Sequence, residues 1–212
     1  MSEQIGKQQQ TVEDALARRV EARRGGAGSP LTEALRELGA IDRAVYQAIA
    51  VTPSPVLDVA FRRLSTAANN SRLWVGISAA MALLGGTRGR RAAFEGLLAI
   101  GTTSATVNLG IKPLARRQRP LRPEPAPFEA RYVPMPESTS FPSGHAASAF
   151  AFAYAVAQHM PRLALPIGLL AGAVAHSRVH TGVHYPSDVV IGSILGGGTA
   201  AMVGSTCDSL AK

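Results

Sequence analysis

The 212-residue chain contains few cysteines, few aromatic residues and few charges. Its single cysteine, Cys207, cannot form an intramolecular disulfide, and it excludes a metal cluster built from cysteines. Aromatic residues make up 5% of the chain and charged residues 17%, against 46% hydrophobic residues. Nearly all the charge falls in the first ninety residues and between Lys112 and Glu137, which leaves long segments almost free of charge. Such segments are candidates for a membrane environment.

The net charge of +8 does not indicate nucleic acid as a partner. The basic residues are not interleaved with aromatic residues, and no nucleic-acid-binding motif accompanies them. Anionic membrane lipids suit these charges better, because arginines near the ends of apolar segments would lie close to phospholipid headgroups. The first thirty residues are polar and lack an apolar core, so we expect no secretory signal and insertion through internal segments.

The chain divides into three parts by composition. Residues 1–30 are rich in Gln, Glu and Arg and predict a mobile polar tail. Residues 31–70 predict two amphipathic helices, Leu31 to Ala50 and Val56 to Ala68, separated by the proline-containing break Thr52 to Pro55. Residues 71–212 predict a membrane-embedded domain.

The fold predicted for this chain is all-α, an integral membrane helical bundle of about five to six spans with amphipathic N-terminal helices. Five apolar segments support it: Leu73 to Gly86, Ala92 to Ile111, Ala146 to Ala157, Leu163 to Ala175 and Val189 to Val203. The prolines between Arg119 and Pro142 exclude a regular helix there and predict an extended loop. That loop is either a lid over a site or a stiff connector between spans.

Three clusters of basic residues and histidines lie between the apolar segments: Lys112 to Pro120, Pro142 to His145 and Ser177 to Asp188. Lys112, Arg119 and Arg178 offer cations for phosphate oxygens. His145 and His184 offer a general acid/base and a nucleophile. Asp188 follows His184 by one helical turn, where a carboxylate can fix the imidazole tautomer and stabilise its positive charge. These residue types together predict phosphoryl transfer.

The second cluster also predicts a helix start at an anion site. Ser143, Gly144 and His145 follow Pro142 directly, so their backbone amides and the positive end of the helix dipole would face an anion. Gly144 permits close approach because it has no side chain. The Ser143 hydroxyl is free either to donate to phosphate or to cap its own helix.

With its three motifs, the chain resembles the type 2 phosphatidic acid phosphatase superfamily, which shares its site with vanadium-dependent haloperoxidases. Lys112 to Pro120 matches K-x6-R-P, Pro142 to His145 matches P-S-G-H, and Ser177 to Asp188 matches S-R-x5-H-x3-D. The order, the spacing and the flanking apolar runs all agree, and the resemblance covers roughly Ala92 to Gly204.

The resemblance implies a metal-independent lipid phosphatase without a cofactor. His184 would attack phosphorus, His145 would protonate the leaving group, and Asp188 would assist His184. Lys112, Arg119, Ser143, Gly144 and Arg178 would bind the phosphate. The expected substrate is a lipid phosphate, either a phospholipid or a polyprenyl (di)phosphate. The resemblance also implies a multi-pass protein of the cell membrane (the inner or plasma membrane), and the family usually places its site on the outer face. Five spans would put the charged N-terminal tail on the same side as the site, so either the site is cytoplasmic or the region Leu31 to Ala68 crosses the membrane once more; we expect the outer face. Assembly into a homo-oligomer stays open.

Two alternatives remain from the sequence, a vanadium-dependent haloperoxidase-like enzyme and a catalytically silent lipid-binding membrane protein. Apolar spans argue against the first, and the intact motifs argue against the second. Three other arginines near the first motif are interpreted as a positive cap facing headgroups: Arg116, Arg117 and Arg122. His180 is expected to neighbour the site, whereas His159 and His176 are expected to be structural.

Overall fold

A computed structural model describes residues 29–122 and 129–210 of the chain. Residues 1–28, where most of the expected polar tail falls, lie outside the described residues. Residues up to Ile41 and residues from Asp42 onward form two compact units. The second unit contains all three motifs.

The described part of the chain is all-helical, as the sequence predicts, and residues 29–122 and 129–210 contain no β-strand. The first two helices are α1 (Pro30–Val51) and α2 (Pro55–Ala67), and the chain bends by 115° between them. Pro53 and Pro55 explain the break, because proline cannot continue the hydrogen-bond ladder of α1 but fits the first position of α2. Both predicted amphipathic helices are therefore confirmed as helices.

Six further helices follow in residues 72–122 and 129–210, and short 3-10 turns precede α3 and α6. A turn at Asn69–Ser71 leads into α3 (Arg72–Leu84), which is followed by α4 (Gly86–Ala105). A π-helical stretch at Thr106–Ile111 joins α4 to α5 (Lys112–Ala115). The loop after α5 contains a 3-10 turn at Glu129–Arg131, and the last three helices are α6 (Gly144–His159), α7 (Pro161–His180) and α8 (Pro186–Leu210).

Helix α6 is the centre of the bundle and packs against α4, α7 and α8. Its alanines at positions 146, 147, 149, 151 and 155 are almost completely buried. Small side chains let the neighbouring helices approach closely, which keeps the two ends of α6 fixed relative to α4 and α8. Trp74 and Phe152 fill the wider space between α3 and α6, with ring centroids 5.2 Å apart.

Helix α8 approaches the first turns of α6 very closely. A Cβ built on Gly196 would lie 2.0 Å from the carbonyl oxygen of Ala147, and one on Gly192 would lie 2.5 Å from that of Ser143. The backbone amide of Ser143 donates to the carbonyl of Asp188 at 2.9 Å. The start of α6 and the start of α8 are therefore held together, and each carries a motif residue.

We expect Gly196→Ala to lower the free energy of unfolding by about 1–3 kcal/mol, because the added methyl group overlaps a backbone oxygen that cannot move aside cheaply. Gly197→Ala is the matched control, since a Cβ at Gly197 meets nothing within 4 Å. Thermal unfolding of the two variants in the same detergent compares them. Equal midpoints would contradict the close contact between α6 and α8.

The loop that follows α5 is attached to the corner between α1 and α2 through Arg131, which is 1% exposed. Its guanidinium donates to the carbonyls of Ile49, Ala50 and Thr52 at 2.7–3.1 Å and so satisfies the C-terminal end of α1. It also lies 3.0 Å from the carboxylate of Asp58 on α2. In the described parts of the predicted extended segment, residues 119–122 and 129–142, the 3-10 turn is the sole helical element.

The expected count of five to six spans is not confirmed by helix length and hydropathy. Among the described helices, α8 passes both criteria by itself, with a mean hydropathy of 1.4, and α1 with α2 passes only as a bent pair. Helices α3 and α6 have 13 and 16 residues, fewer than the roughly 20 that cross a bilayer core. Arg88, Arg90 and Arg91 reduce the hydropathy of α4.

Candidate active site

A cavity of about 230 Å³ collects residues from all three motifs. Lys112 and Arg119 come from the first motif, Gly144 and His145 from the second, and Arg178 and His184 from the third. The other lining residues are mostly small or polar: Ala68, Asn70, Ser71, Trp74, Ser104, Asn108, Pro136, Ser138 and Ser148. No carboxylate lines the cavity among the described residues, so its charge is positive, as an anion site requires.

Local backbone geometry directs Lys112 and Arg119 toward the cavity. The π-helical stretch Thr106–Ile111 shifts the helical register just before Lys112, and such stretches are frequent at functional sites. Arg116 then ends α5 in the left-handed conformation, with φ of 37°. The chain turns there, and Pro120 follows Arg119 to keep it extended.

Hydrogen bonds to the chain fix Arg119 in place. Its Nε donates to the carbonyl of Ser138 at 2.9 Å, and its Nη1 donates to the carbonyl of Val183 at 2.6 Å. The Ser138 hydroxyl also accepts from Lys112 Nζ at 3.2 Å. Two cations therefore lie on one side of the cavity, and their hydrogen bonds to Ser138 hold the loop there.

Arg178 supplies the third cation from the last turn of α7. It is 2% exposed and donates through Nη1 to the hydroxyl of Ser65 on α2. Its Nε is buried and has no hydrogen-bond partner among the described residues. Arg178 lines the cavity, so its guanidinium charge is suited to attract an anionic oxygen there.

The second motif starts α6 as expected, but Ser143 does not reach the cavity. Its hydroxyl accepts from the amide of Ala146 at 3.4 Å, which is helix capping, and the residue is 0% exposed. Of the two roles that the sequence left open, the structure therefore favours capping. Gly144 lines the cavity, and a Cβ built on it would lie 4.0 Å from Lys112 Nζ. Without that Cβ, the backbone leaves room for a ligand beside the lysine.

His184 lines the cavity, and Asp188 contacts it from outside the lining. His184 Nδ1 is 3.5 Å from Asp188 Oδ2, longer than a short hydrogen bond, and this carboxylate is the group that the nitrogen faces. The same oxygen accepts from the Ser140 hydroxyl at 2.5 Å and from the amide of Tyr185 at 2.9 Å. Because Nδ1 faces the carboxylate, Nε2 is the nitrogen left for chemistry, and Arg119 Nη1 lies 3.3 Å from it.

Arg117, interpreted from the sequence as part of a positive cap, instead holds Asp188. Its Nη1 donates to Asp188 Oδ1 at 2.7 Å, and its Nη2 donates to Asp42 Oδ2 at 2.5 Å. Asp42 in turn accepts from the amide and the hydroxyl of Ser187. The interpretation of Arg117 as a cap is therefore wrong. Asp42, on α1, is separated from the motifs by at least seventy residues, so no local pattern indicates this contact.

Arg122 is likewise not a cap facing headgroups. Its guanidinium donates to the carbonyls of Val133 and Thr181 at 2.7 and 3.1 Å, and it also approaches that of Gly182. It thereby holds the turn that leads into His184. Gly182 adopts a φ of +71° in this turn, a conformation that favours glycine.

The remaining histidines lie outside the cavity lining. His180 is buried and contacts Asp58 at 2.8 Å, so it neighbours the site through α2 rather than lining it. His159 contacts Glu95 at 2.7 Å at the other end of α6. The ring of His176 packs edge-on against that of Phe61, with centroids 5.0 Å apart.

Burial sets the protonation state of His184. Desolvation lowers the pKa of His184 to about 4, and the repulsion from Arg119 and Arg178 acts in the same direction, while Asp188 opposes it. The imidazole is therefore neutral at physiological pH, which is the form that can attack phosphorus. The same shift affects the free energy of unfolding, because the unfolded chain binds a proton at His184 at a higher pH than the folded protein does. His184 lowers the stability as the pH falls from about 6.5 to about 4.

We expect the acid limb that His184 contributes to kcat/KM to lie near pH 4 rather than near pH 6.5, because kcat/KM reports the free enzyme. Initial rates between pH 3.5 and pH 8, corrected for the ionisation of the substrate phosphate, measure it. A limb that stays near pH 6.5 after this correction would show that His184 is not desolvated.

Comparison with known proteins gives the family. The model of the PAP2 superfamily matches residues 92–206. The chain is 36% identical over 163 residues to the decaprenylphosphoryl-5-phosphoribose phosphatase of Mycolicibacterium smegmatis, covering 76% of this chain and 84% of that protein. The phosphatase of the same name from Mycobacterium tuberculosis is 44% identical over 95 residues, 45% of this chain. The matched region covers 50% of that relative, so the chain spans about half of its length.

Comparison with solved structures agrees with the sequence relatives. The transmembrane PAP2 type phosphatidylglycerolphosphate phosphatase from Bacillus subtilis superposes with a TM-score of 0.62 and 26% identity, over 82% of this chain and 87% of the other. The match of the family model covers all three motifs, and the cavity gathers residues from each of them. The chain therefore belongs to the PAP2 superfamily.

Proposed function

We propose that the protein is a metal-independent membrane phosphatase that removes a terminal phosphate from a phospholipid or a polyprenyl (di)phosphate through a phosphohistidine intermediate. One observation carries this proposal. Lys112, Arg119 and Arg178 meet around a single cavity with His145 and His184, two imidazoles that have different partners. Three cations can hold the equatorial oxygens of a phosphoryl group while one imidazole attacks and the other protonates.

The proposed reaction has two displacements at phosphorus. Nε2 of His184 attacks in line, a P–N bond forms, and the P–O bond to the leaving group breaks as His145 gives that oxygen a proton. His145 then takes a proton from water, whose oxygen displaces His184 and releases inorganic phosphate. Asp188 stabilises the positive charge on His184 between the two steps. Positioning and charge stabilisation supply most of the acceleration.

The relatives favour a polyprenyl-linked sugar phosphate as the first substrate to try. Two of them are named as phosphatases of decaprenylphosphoryl-5-phosphoribose. The cavity lining agrees, since Asn70, Asn108 and Ser148 lie beside the cationic residues and can hydrogen-bond to hydroxyl groups next to the phosphate. A diacylglycerol phosphate would leave these polar groups without such partners.

We also propose that residues 71–212 are membrane-embedded and cross the bilayer several times, giving five to six spans with the N-terminal helices. The similarity to a transmembrane protein over most of the chain supports this. Large apolar side chains on the helix surfaces support it further, because Leu84, Phe94 and Met202 are 87%, 65% and 73% exposed. In a lipid bilayer these side chains would face acyl chains.

The cavity is proposed to open at the outer face of the membrane. Arg88, Arg90 and Arg91 lie at the start of α4, whereas Lys112 lies beyond its end, and positive residues prefer the cytoplasmic side. Single cysteines in a Cys207→Ser background test this orientation with an impermeant maleimide on sealed cells. Glu137→Cys should react and Arg90→Cys should not; the reverse pattern would place the site in the cytoplasm.

The activity itself is tested with the purified full chain in detergent and EDTA on phosphatidic acid, phosphatidylglycerol phosphate, a polyprenyl diphosphate and a prenyl-linked ribose phosphate. Wild type should release inorganic phosphate from at least one of them, and His145→Ala should release far less. No release from any substrate would overturn the proposal and favour a silent lipid-binding protein. The comparisons support neither that alternative nor a haloperoxidase, since the named relatives are phosphatases.

A further inference from the structure

The general acid/base proposed above has a partner that lies outside all three motifs. His145 Nε2 lies 2.9 Å from the side-chain oxygen Oδ1 of Asn69. A carbonyl oxygen can only accept, so the imidazole must carry its proton on Nε2 in this contact. In the neutral ring the lone pair is then on Nδ1, and the tautomer of His145 is fixed from outside the motifs.

The backbone around Asn69 is shaped for this contact. Asn69 begins the 3-10 turn between α2 and α3, and the next two residues adopt left-handed conformations, with φ of 52° at Asn70 and 58° at Ser71. Residues other than glycine reach this region at an energetic cost, and such strain concentrates at functional sites. Ala68, Asn70 and Ser71 line the catalytic cavity, so the turn forms part of its wall.

The two histidines of the cavity therefore differ in the charge of their partners. His184 faces the carboxylate of Asp188, which stabilises the positive charge that a nucleophilic imidazole acquires. His145 faces a neutral amide, which orients the ring without adding a negative charge. A general acid has to give up its proton in the transition state, so a neutral partner suits it better than a carboxylate.

We propose that Asn69 is a positioning residue for the reaction: it accepts from Nε2–H of His145 and so leaves Nδ1 as the nitrogen that takes up a proton and, from the imidazolium form, gives it to the leaving group. This inference rests on the proposed phosphatase activity. It predicts that Asn69 matters only where His145 has a proton to deliver. Removing the Asn69 side chain should lower the rate with alkyl phosphate esters, whose poor leaving groups require protonation. The rate with aryl esters should hardly change, because their leaving groups depart without a proton.

The test compares kcat/KM for octyl phosphate and p-nitrophenyl phosphate with the full chain in detergent, since kcat/KM reports the steps up to phosphoryl transfer to the enzyme. Asn69→Ala should lower the value for the alkyl ester about 10–100-fold and that for the aryl ester less than about 3-fold. His145→Ala should show the same selectivity with a larger loss. Thr66→Ala, an exposed neighbour on α2, should leave both values unchanged.

Asn69→Asp separates orientation from packing, because it keeps an acceptor oxygen in the same place. On the alkyl ester it should lose less than Asn69→Ala, although its negative charge holds the proton on His145 more tightly than the amide does. An equal loss on both esters in Asn69→Ala, or a loss in Asn69→Asp as large as in Asn69→Ala, would overturn the inference. If the alanine variant does not fold, Asn69→Ser serves instead, since its side chain is too short to reach His145. Failure of wild type on both esters and on every lipid phosphate named above would refute the phosphatase proposal instead.

Discussion

His184→Ala is expected to lower kcat by about 10⁴-fold or more on every substrate that the wild type hydrolyses, aryl esters included. Of the two imidazoles that line the cavity in the described part of the chain, His184 has the carboxylate partner, and its Nε2 lies beside Arg119. Without it no P–N bond can form, and a better leaving group cannot compensate. His145 differs in this respect, because the fall in rate caused by His145→Ala should depend on the leaving group of the substrate.

The control for this prediction is His176→Ala. His176 is an exposed histidine on α7 that lies outside the cavity lining, so its variant should keep wild-type kcat. Initial rates of phosphate release in the presence of EDTA, with folding checked by the thermal midpoint, compare the two. A His184→Ala variant that folds and keeps a tenth of the wild-type rate would contradict its role as the nucleophile.

Arg117→Ala is expected to lower the free energy of unfolding by about 2–3 kcal/mol and kcat by at least about 10-fold. Arg117 is the shared partner of Asp42 and Asp188, whose side chains are 5% and 0% exposed. Its removal leaves two buried carboxylates without their cation, and breaking a buried pair in this way costs more than losing a surface pair. The activity falls because Asp188 also loses its anchor behind His184.

The neighbouring residue offers a matched control for Arg117. Arg116 carries the same charge in the same turn but is exposed, and Arg116→Ala should change neither stability nor kcat by more than a small factor. Asp42→Asn should have a smaller effect than Arg117→Ala, because it removes one of the two charges that would otherwise be left unpaired. Equal thermal midpoints for Arg116→Ala and Arg117→Ala would refute the anchoring role.

The sequence predicts the residues that meet in the cavity but not the residues that hold them. Motif spacing places Lys112, Gly144 and His184 at helix ends, where side chains from different helices can converge. Asn69 and Asp42 contact His145 and Arg117 across 76 and 75 positions of the chain. A single Asn or Asp between two helices carries no periodic signal, so these contacts emerge only from the packed structure.

The division of roles among the arginines also depends on backbone geometry. Five cations fall in the eleven residues from Lys112 to Arg122, and by composition all of them suit a headgroup cap. The π-helical stretch before Lys112 and the left-handed Arg116 decide which side chains turn inward. The span count does not follow from the sequence for a related reason, since short helices such as α3 and α6 owe their burial to their neighbours rather than to their length.

The most direct test of the account is to trap the covalent intermediate. Wild-type protein mixed with a ³²P-labelled substrate and quenched within milliseconds in alkali should carry one label that is stable in base and labile in acid, as a phosphohistidine is. Proteolytic mapping should place the label on His184, and His184→Ala should carry none. A label on another residue, or hydrolysis without any covalent label and with a single inversion at phosphorus, would contradict the account.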